Sequence, residues 1–174
     1  MNDFIILQLK VVDFFNPDEP LVLDYLFIFI SLFGDWKVLA ALTALAFLRD
    51  RKLGKRLALL FLIALALLLP LKALIHEERP PVVGGEIRPV GGLGETSSFP
   101  SGHATLAFAY ASMLASIYGR KRYFYSYALL VAFSRLYLGQ HYPSDLVFGA
   151  ALGLFSARLT NFIYLKKEVS PWKP

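Results

Sequence analysis

Residues 57–75 read LALLFLIALALLLPLKALI, an apolar run broken only by Pro70 and Lys72. A helix needs about 20 apolar residues, with a range of about 17–25, to cross the hydrocarbon core of a bilayer. This run meets that length. Working outward from it, apolar segments recur at 21–33, 38–48, 101–118, 123–137 and 143–165. The first two are short. They span only if Asp24, Asp35, Trp36, Lys37 and Arg49 lie at the interfaces, where long side chains reach the headgroups. The fold expected is all-α: a six-span transmembrane helical bundle, residues 21–165, in a single domain covering 1–174. A four-span protein with two buried or re-entrant helices is the alternative. Residues 1–16 carry Asn2, Asp3, Lys10 and Asp13 on one helical face, with Phe4, Ile5, Leu9, Val12 and Phe15 elsewhere. That pattern suits an amphipathic helix lying in the membrane interface. It has no basic start, so it does not read as a signal peptide.

Composition agrees. The 174 residues are 56% hydrophobic and 18% charged, against about 45–50% and about 25% for soluble domains. Apolar content this high with so little charge excludes disorder. With no cysteine, disulfides, thiolate metal sites and thiol nucleophiles are all excluded. The net charge of +5 is placed for a membrane surface rather than for nucleic acid. Arg49, Arg51, Lys52, Lys55 and Arg56 form one cluster, Arg120, Lys121 and Arg122 a second, and Lys166, Lys167 and Lys173 a third. Six spans put all three on one side, the cytoplasmic one by the positive-inside rule. Both termini are then expected in the cytoplasm, with Asp24 near the cytoplasmic interface.

The remaining polar residues gather at the other side, where spans three to six end. Ionisable groups there need mutual partners if they are buried. Lys72-x6-Arg79-Pro80 supplies a point charge and a planar fork able to grip two phosphate oxygens. Pro100-Ser101-Gly102-His103 opens a helix whose free N–H groups make an anion site. Glycine there permits close backbone approach, and His103 stands where it can protonate a departing oxygen. Ser134-Arg135-x5-His141-x3-Asp145 sets a carboxylate near a histidine. The carboxylate can accept the ring N–H and leave the other nitrogen as a nucleophile; a structural His–Asp cap has the same spacing.

In order and in full, these three patterns resemble the signature of the type 2 phosphatidic acid phosphatase superfamily, over Lys72 to Asp145. The resemblance implies a six-span helical bundle and metal-free hydrolysis of a phosphate ester through a phosphohistidine. It implies His141 as nucleophile, Asp145 as its orienting partner and His103 as general acid. Lys72, Arg79, Ser101, Gly102 and Arg135 would hold the phosphoryl oxygens, with Ser134 a motif member of less direct role. No cofactor or metal is implied, and the partners are a lipid phosphate and the bilayer, not nucleic acid.

Physical chemistry supports the same roles. Phosphoryl transfer is mostly positioning and charge stabilisation, and Lys72, Arg79 and Arg135 supply charge where a divalent metal otherwise would. The substrate expected is a lipid phosphate at the outer face of the cytoplasmic membrane. Lipid A 1-phosphate is the first choice, because the compact chain resembles that branch. Phosphatidylglycerophosphate and undecaprenyl pyrophosphate are the alternatives, and a silent lipid-phosphate binder or a transporter is the reading from another class. His76, Glu77 and Glu78 suggest a metal cluster, but consecutive helical residues face different ways and no further histidine is free. Arg88 reads as a solvated loop residue, and Trp36, Tyr118, Tyr123 and Tyr125 as an interfacial belt.

Overall fold

The computed structural model describes residues 2–18, 22–84, 86–94 and 97–169, with side chains to residue 164. Pro20, Leu21 and Lys173, and the side chains of Lys166 and Lys167, lie outside it. The regular structure among the described residues is helical. Helix α1 (Asp3–Phe15) starts under Asn2, whose side chain accepts from Phe4 N at 3.1 Å. Helices α2 (Val22–Leu32) and α3 (Trp36–Arg49) follow, α3 capped by Asp35 through Lys37 N at 2.8 Å. Asp50 caps α4 (Arg51–Leu74), which contains the run read first. A single turn, α5 (Pro80–Val83), precedes the three remaining helices: α6 (Gly102–Tyr118), α7 (Lys121–Tyr137) and α8 (Pro143–Val169).

Close contacts fix the helix directions. Gly102 at the start of α6 lies against Leu68 and Lys72 near the end of α4. Ser101 N donates to Asp145 O at 3.1 Å, so α6 and α8 begin together. At the other end Arg56 Nη2 donates to Asn161 Oδ1 at 2.7 Å, joining the start of α4 to the far half of α8. Thus α4 and α7 arrive at one end of the bundle, and α6 and α8 leave from it. The Arg49–Arg56 and Arg120–Arg122 clusters fall at the opposite end.

The first two apolar segments are where the structure departs from the sequence reading. Helices α2 and α3 meet at 47° across a short break. Ser31 lies beside Arg135 at one end, and Phe47 packs on Gly54 at the other. Neither helix is long enough to span alone: 11 and 14 residues rise about 16 and 21 Å. Among the described residues two helices, α4 and the 143–164 part of α8, are long and apolar enough to cross a membrane, and the α2–α3 pair makes a third if it is one bent span. Six separate spans are not seen, and the two described ends lie apart. Helix α1 packs beside the end of α7 and the start of α8, where Ser144 N donates to Gln8 Oε1 at 2.9 Å. The end of α8 lies at the basic end.

Asp24 and Arg88 are relocated by the same change. Asp24 is buried at the end opposite the basic clusters, and Arg88 holds it through Nη1 at 2.8 Å and Nη2 at 3.2 Å. Tyr137 OH adds a third donor at 3.0 Å. Asn16 Nδ2 donates to the carbonyls of Arg88 and Tyr137, at 3.0 and 2.8 Å. An apparently solvated loop arginine thus ties the α1–α2 connection to the end of α7.

Two core features position the site. Leu39, Leu57, Leu60, Leu106, Tyr110 and Met113 fill the bundle centre, while α6 and α8 approach backbone to backbone through Gly149 and Gly153. A Cβ on Gly149 would lie 2.6 Å from Ser101 O and 3.1 Å from Ala104 Cβ. Small residues permit such close approach between apolar helices. Replacing Gly149 by valine is expected to cost about 1–3 kcal/mol, as overpacking does, and to separate Ser101 from Asp145. Thermal unfolding in detergent measures it; an unchanged Tm would show that the contact is not tight. Outside the core, Leu62, Leu69, Leu129, Leu130, Phe148, Phe155 and Phe162 are exposed, an apolar surface that soluble monomers rarely present and that suits hydrocarbon.

Candidate active site

Two helix C-termini and two N-termini meet at one end, and with them come all nine residues singled out from the sequence. Lys72, in the last turn of α4, donates from Nζ to Ser97 O at 2.6 Å. Arg79, buried just before α5, donates from Nη1 to Gln140 O at 2.9 Å. Ser101 caps α6 and Gly102 opens it, so the first N–H groups and the positive end of the helix dipole face this region. Arg135, in the last turn of α7, donates from Nη1 to Ser31 Oγ at 2.6 Å. Its buried Nε has no hydrogen-bond partner among the described residues. Ser134 is buried, its hydroxyl donating to Val131 O at 2.6 Å on its own helix.

His141 and Asp145 form the floor. Tyr142-Pro143 starts α8, and Asp145, three residues into the turn, reaches back to the Tyr142 N–H at 3.0 Å, one half of a capping box. The same Oδ2 lies 3.2 Å from His141 Nδ1. The cap and the His–Asp pair, alternatives in the sequence, are thus one structure. With Nδ1–H donated to the carboxylate, Nε2 keeps its lone pair. His141 is buried, which pulls its imidazole down to about 3; Asp145 opposes this, while Arg135 and Arg79 reinforce it. The ring is neutral at physiological pH.

His103 faces a cavity of about 230 Å³ that it shares with Arg135, Gln140, Ser31, Asp35 and the 90–92 loop. The α2–α3 break lies directly on it: a Cβ on Gly34 would be 3.2 Å from His103 Cβ and 2.5 Å from Val131 Cγ1. Ser31, Gly34 and Asp35 were not singled out from the sequence, because only the bend brings that segment to the site. Gln140 and Ser98 were missed too. Gln140 Nε2 donates to Gly92 O at 2.7 Å, holding the loop that rims the cavity. Ser98 is fully buried, and its hydroxyl donates to Asp145 Oδ2 at 2.5 Å. A serine beside Pro100-Ser101 carries no pattern of its own, so no sequence signal marked it. His76, Glu77 and Glu78 do not act together. Among the described residues no trio of carboxylate or imidazole groups is placed to hold a metal.

A family model described as the PAP2 superfamily matches residues 54–168. The chain belongs to the PAP2 superfamily. All nine of the residues above lie inside this PAP2 match. One relative is the lipid A 1-phosphatase of Rhizobium etli, 35% identical over 79 residues, which cover 45% of this chain and 34% of that protein. The chain therefore spans about a third of the length of that relative. A longer match is to the undecaprenyl-diphosphatase of Sulfolobus acidocaldarius, 32% identical over 147 residues, 79% of this chain and 69% of that one. Among solved PAP2-like folds, the crystal structure of Aquifex aeolicus LpxE superposes with a TM-score of 0.79 at 27% identity. The superposition covers 90% of this chain and 95% of that one.

Proposed function

We propose that this PAP2 protein is a membrane lipid phosphatase that works through a phosphohistidine. The observation that carries the reading is the neutral His141, held by Asp145 at 3.2 Å, beneath Arg79 and Arg135 and near His103. His141 Nε2 attacks phosphorus while the bond to the leaving oxygen breaks, and His103 gives that oxygen its proton. Water then attacks the phosphohistidine, His103 takes the water's proton, and inorganic phosphate leaves. Lys72, Arg79, Arg135 and the α6 N-terminus stabilise the equatorial oxygens. The buried Arg135 Nε is a donor suited to one of them. These cations supply the charge, so chelator is expected to leave turnover intact and full loss in chelator would sink the mechanism.

The substrate is a lipid phosphate presented at the headgroup level. Each acyl CH₂ kept in hydrocarbon is worth about 0.8 kcal/mol, and a soluble ester gains nothing from apolar walls. Lipid A 1-phosphate is the first candidate, supported by the Rhizobium relative. The greater reach of the Sulfolobus match over this chain favours isoprenoid pyrophosphates as the second. Phosphate release from purified protein in mixed micelles decides between them, on a panel of lipid A 1-phosphate, undecaprenyl pyrophosphate, phosphatidylglycerophosphate and glycerol 3-phosphate. Rates should follow the surface fraction of the lipid. Equal kcat/KM on glycerol 3-phosphate would overturn the assignment.

The site end faces away from the cytoplasm in this reading, and the basic end faces into it, as the positive-inside rule requires. With the α2–α3 pair read as one span and α4, α6, α7 and α8 as the others, five traverses leave α1 on the outer side, lying against the interface with Phe4, Leu7 and Phe14 exposed. With no native cysteine, topology is directly measurable. Leu93→Cys should react with an impermeant thiol reagent in intact cells, and Lys55→Cys only after lysis. The reverse pattern would invert the protein and change which leaflet supplies the substrate.

A further inference from the structure

We propose that Glu77 is a positioning residue for the His141–Asp145 pair: its carboxyl, carrying a proton, donates a hydrogen bond to Asp145 Oδ1. The proposal deepens the phosphatase reading and rests on it for its catalytic consequence. Asp145 is fully buried, and its two oxygens are treated unequally. Oδ2 takes three donors: Ser98 Oγ at 2.5 Å, Tyr142 N at 3.0 Å and His141 Nδ1 at 3.2 Å. Oδ1 is buried with no donor among the described residues. A buried carboxylate oxygen left without a partner is costly.

The backbone of Glu77 is tied to the segment that holds Asp145. Its N–H donates to Ser97 Oγ at 3.1 Å, and its carbonyl accepts from Ser98 N at 2.8 Å. Ser98 is the residue whose hydroxyl holds Oδ2, so one short segment serves both carboxyls. The Glu77 and Asp145 carboxyls are close enough to interact. Two carboxylates so placed repel unless a proton lies between them. Three hydrogen bonds already converge on Asp145 Oδ2 and stabilise negative charge there, so the shared proton is assigned to Glu77. Burial first, and the charge of Asp145 second, push the Glu77 carboxyl up to about 7.

The charged and titratable surroundings are mixed. Lys72 on α4 and Arg79 before α5 act on Asp145. His141 and Asp145 face the pair from the start of α8, with Tyr142, whose phenol burial and Glu77 push up to about 12. His76 and Glu78 flank Glu77 on its own segment and are exposed. As pH rises through about 7, Glu77 loses its proton, Oδ1 loses its donor, and a second negative charge stands against Asp145. The carboxylate that orients His141 is then less firmly held, and turnover falls.

Two measurements on Glu77→Gln test this. The amide keeps an N–H donor for Oδ1 but does not titrate. Infrared difference titration of the protein in detergent, without substrate, should show the C=O band of a protonated carboxylic acid. That band should vanish as pH passes about 7 and be missing from E77Q. In kcat/KM, E77Q should keep wild-type rates below that pH and carry its alkaline limb to higher pH. Glu77→Ala should lose about 10-fold across the range, the worth of one hydrogen bond to a charged group. No band in the wild type, the same band in E77Q, or superimposable pH profiles would each overturn the proposal. A wild type that cleaves no lipid phosphate, yet shows the band and loses it in E77Q, would instead overturn the phosphatase reading and leave the shared proton standing.

Discussion

Purified His141→Ala protein is expected to form no phosphoenzyme and to lose kcat by about 10⁴-fold or more, as enzymes do when their nucleophile is removed. Alkaline denaturation of the wild type during turnover should trap label that is retained in base and lost on later exposure to acid, the behaviour of a phosphoramidate. The size of the effect follows from burial. His141 is 2% exposed, and its Nδ1 is committed to Asp145, so no neighbouring imidazole can take its place at the phosphorus. His103 remains in the mutant, without the hydrogen bond to Asp145 that fixes the tautomer of His141. A phosphoenzyme of normal yield in His141→Ala would assign the nucleophile elsewhere. Because burial pulls His141 down to about 3, the acid limb of kcat/KM for the free enzyme should fall well below the ordinary imidazole range.

Replacing His103 by asparagine is expected to slow turnover by about 10²–10⁴-fold, the usual contribution of a general acid. Its signature is the dependence on leaving group. An ester whose leaving oxygen needs no proton should recover most of the first step, while an alkyl lipid phosphate should not. Phosphoenzyme should still form with the activated ester and then persist, because the same residue serves as base for the attacking water. Equal losses on good and poor leaving groups would reduce His103 to a phosphate ligand. The α2–α3 break gives a control that leaves the imidazole in place. Gly34→Ala puts a Cβ 2.5 Å from Val131 Cγ1 and 3.2 Å from His103 Cβ; by shifting the ring it should lower kcat and prolong the phosphoenzyme, both less than His103→Asn does.

Helix ends explain why the site was legible before the fold was. Capping and dipole chemistry put Ser101, Gly102 and Asp145 at N-termini, where orphan N–H groups seek anions or carboxylates. Local spacing alone then brings His141 to Asp145, because both belong to one turn. Lys72 and Arg135 sit in the last turns of apolar runs for the complementary reason, since cations suit the negative end of a helix dipole. Each of these relations is short in sequence and needs no knowledge of neighbouring helices.

Traverse number and the second ring of contacts were not legible. The composition of 21–33 and 38–48 is that of two spans, and nothing local distinguishes two short helices from one bent one. The bend exists because α2 must pass Arg135 through Ser31 while α3 packs on α4 and Tyr110. That single difference moves Asp24 from one end of the bundle to the other and turns Arg88 from a solvated residue into its partner. Ser98 and Gln140 gain their roles in the same way, from loops crossing at the site. The sequence by itself determined an all-helical, membrane-suited chain and the residues that gather at the candidate site, since hydropathy and helix-end chemistry are local properties. Only the tertiary structure decided the bend between α2 and α3, the opposed ends and the pairing of Asp24 with Arg88, because packing sets that pairing across more than sixty residues of chain.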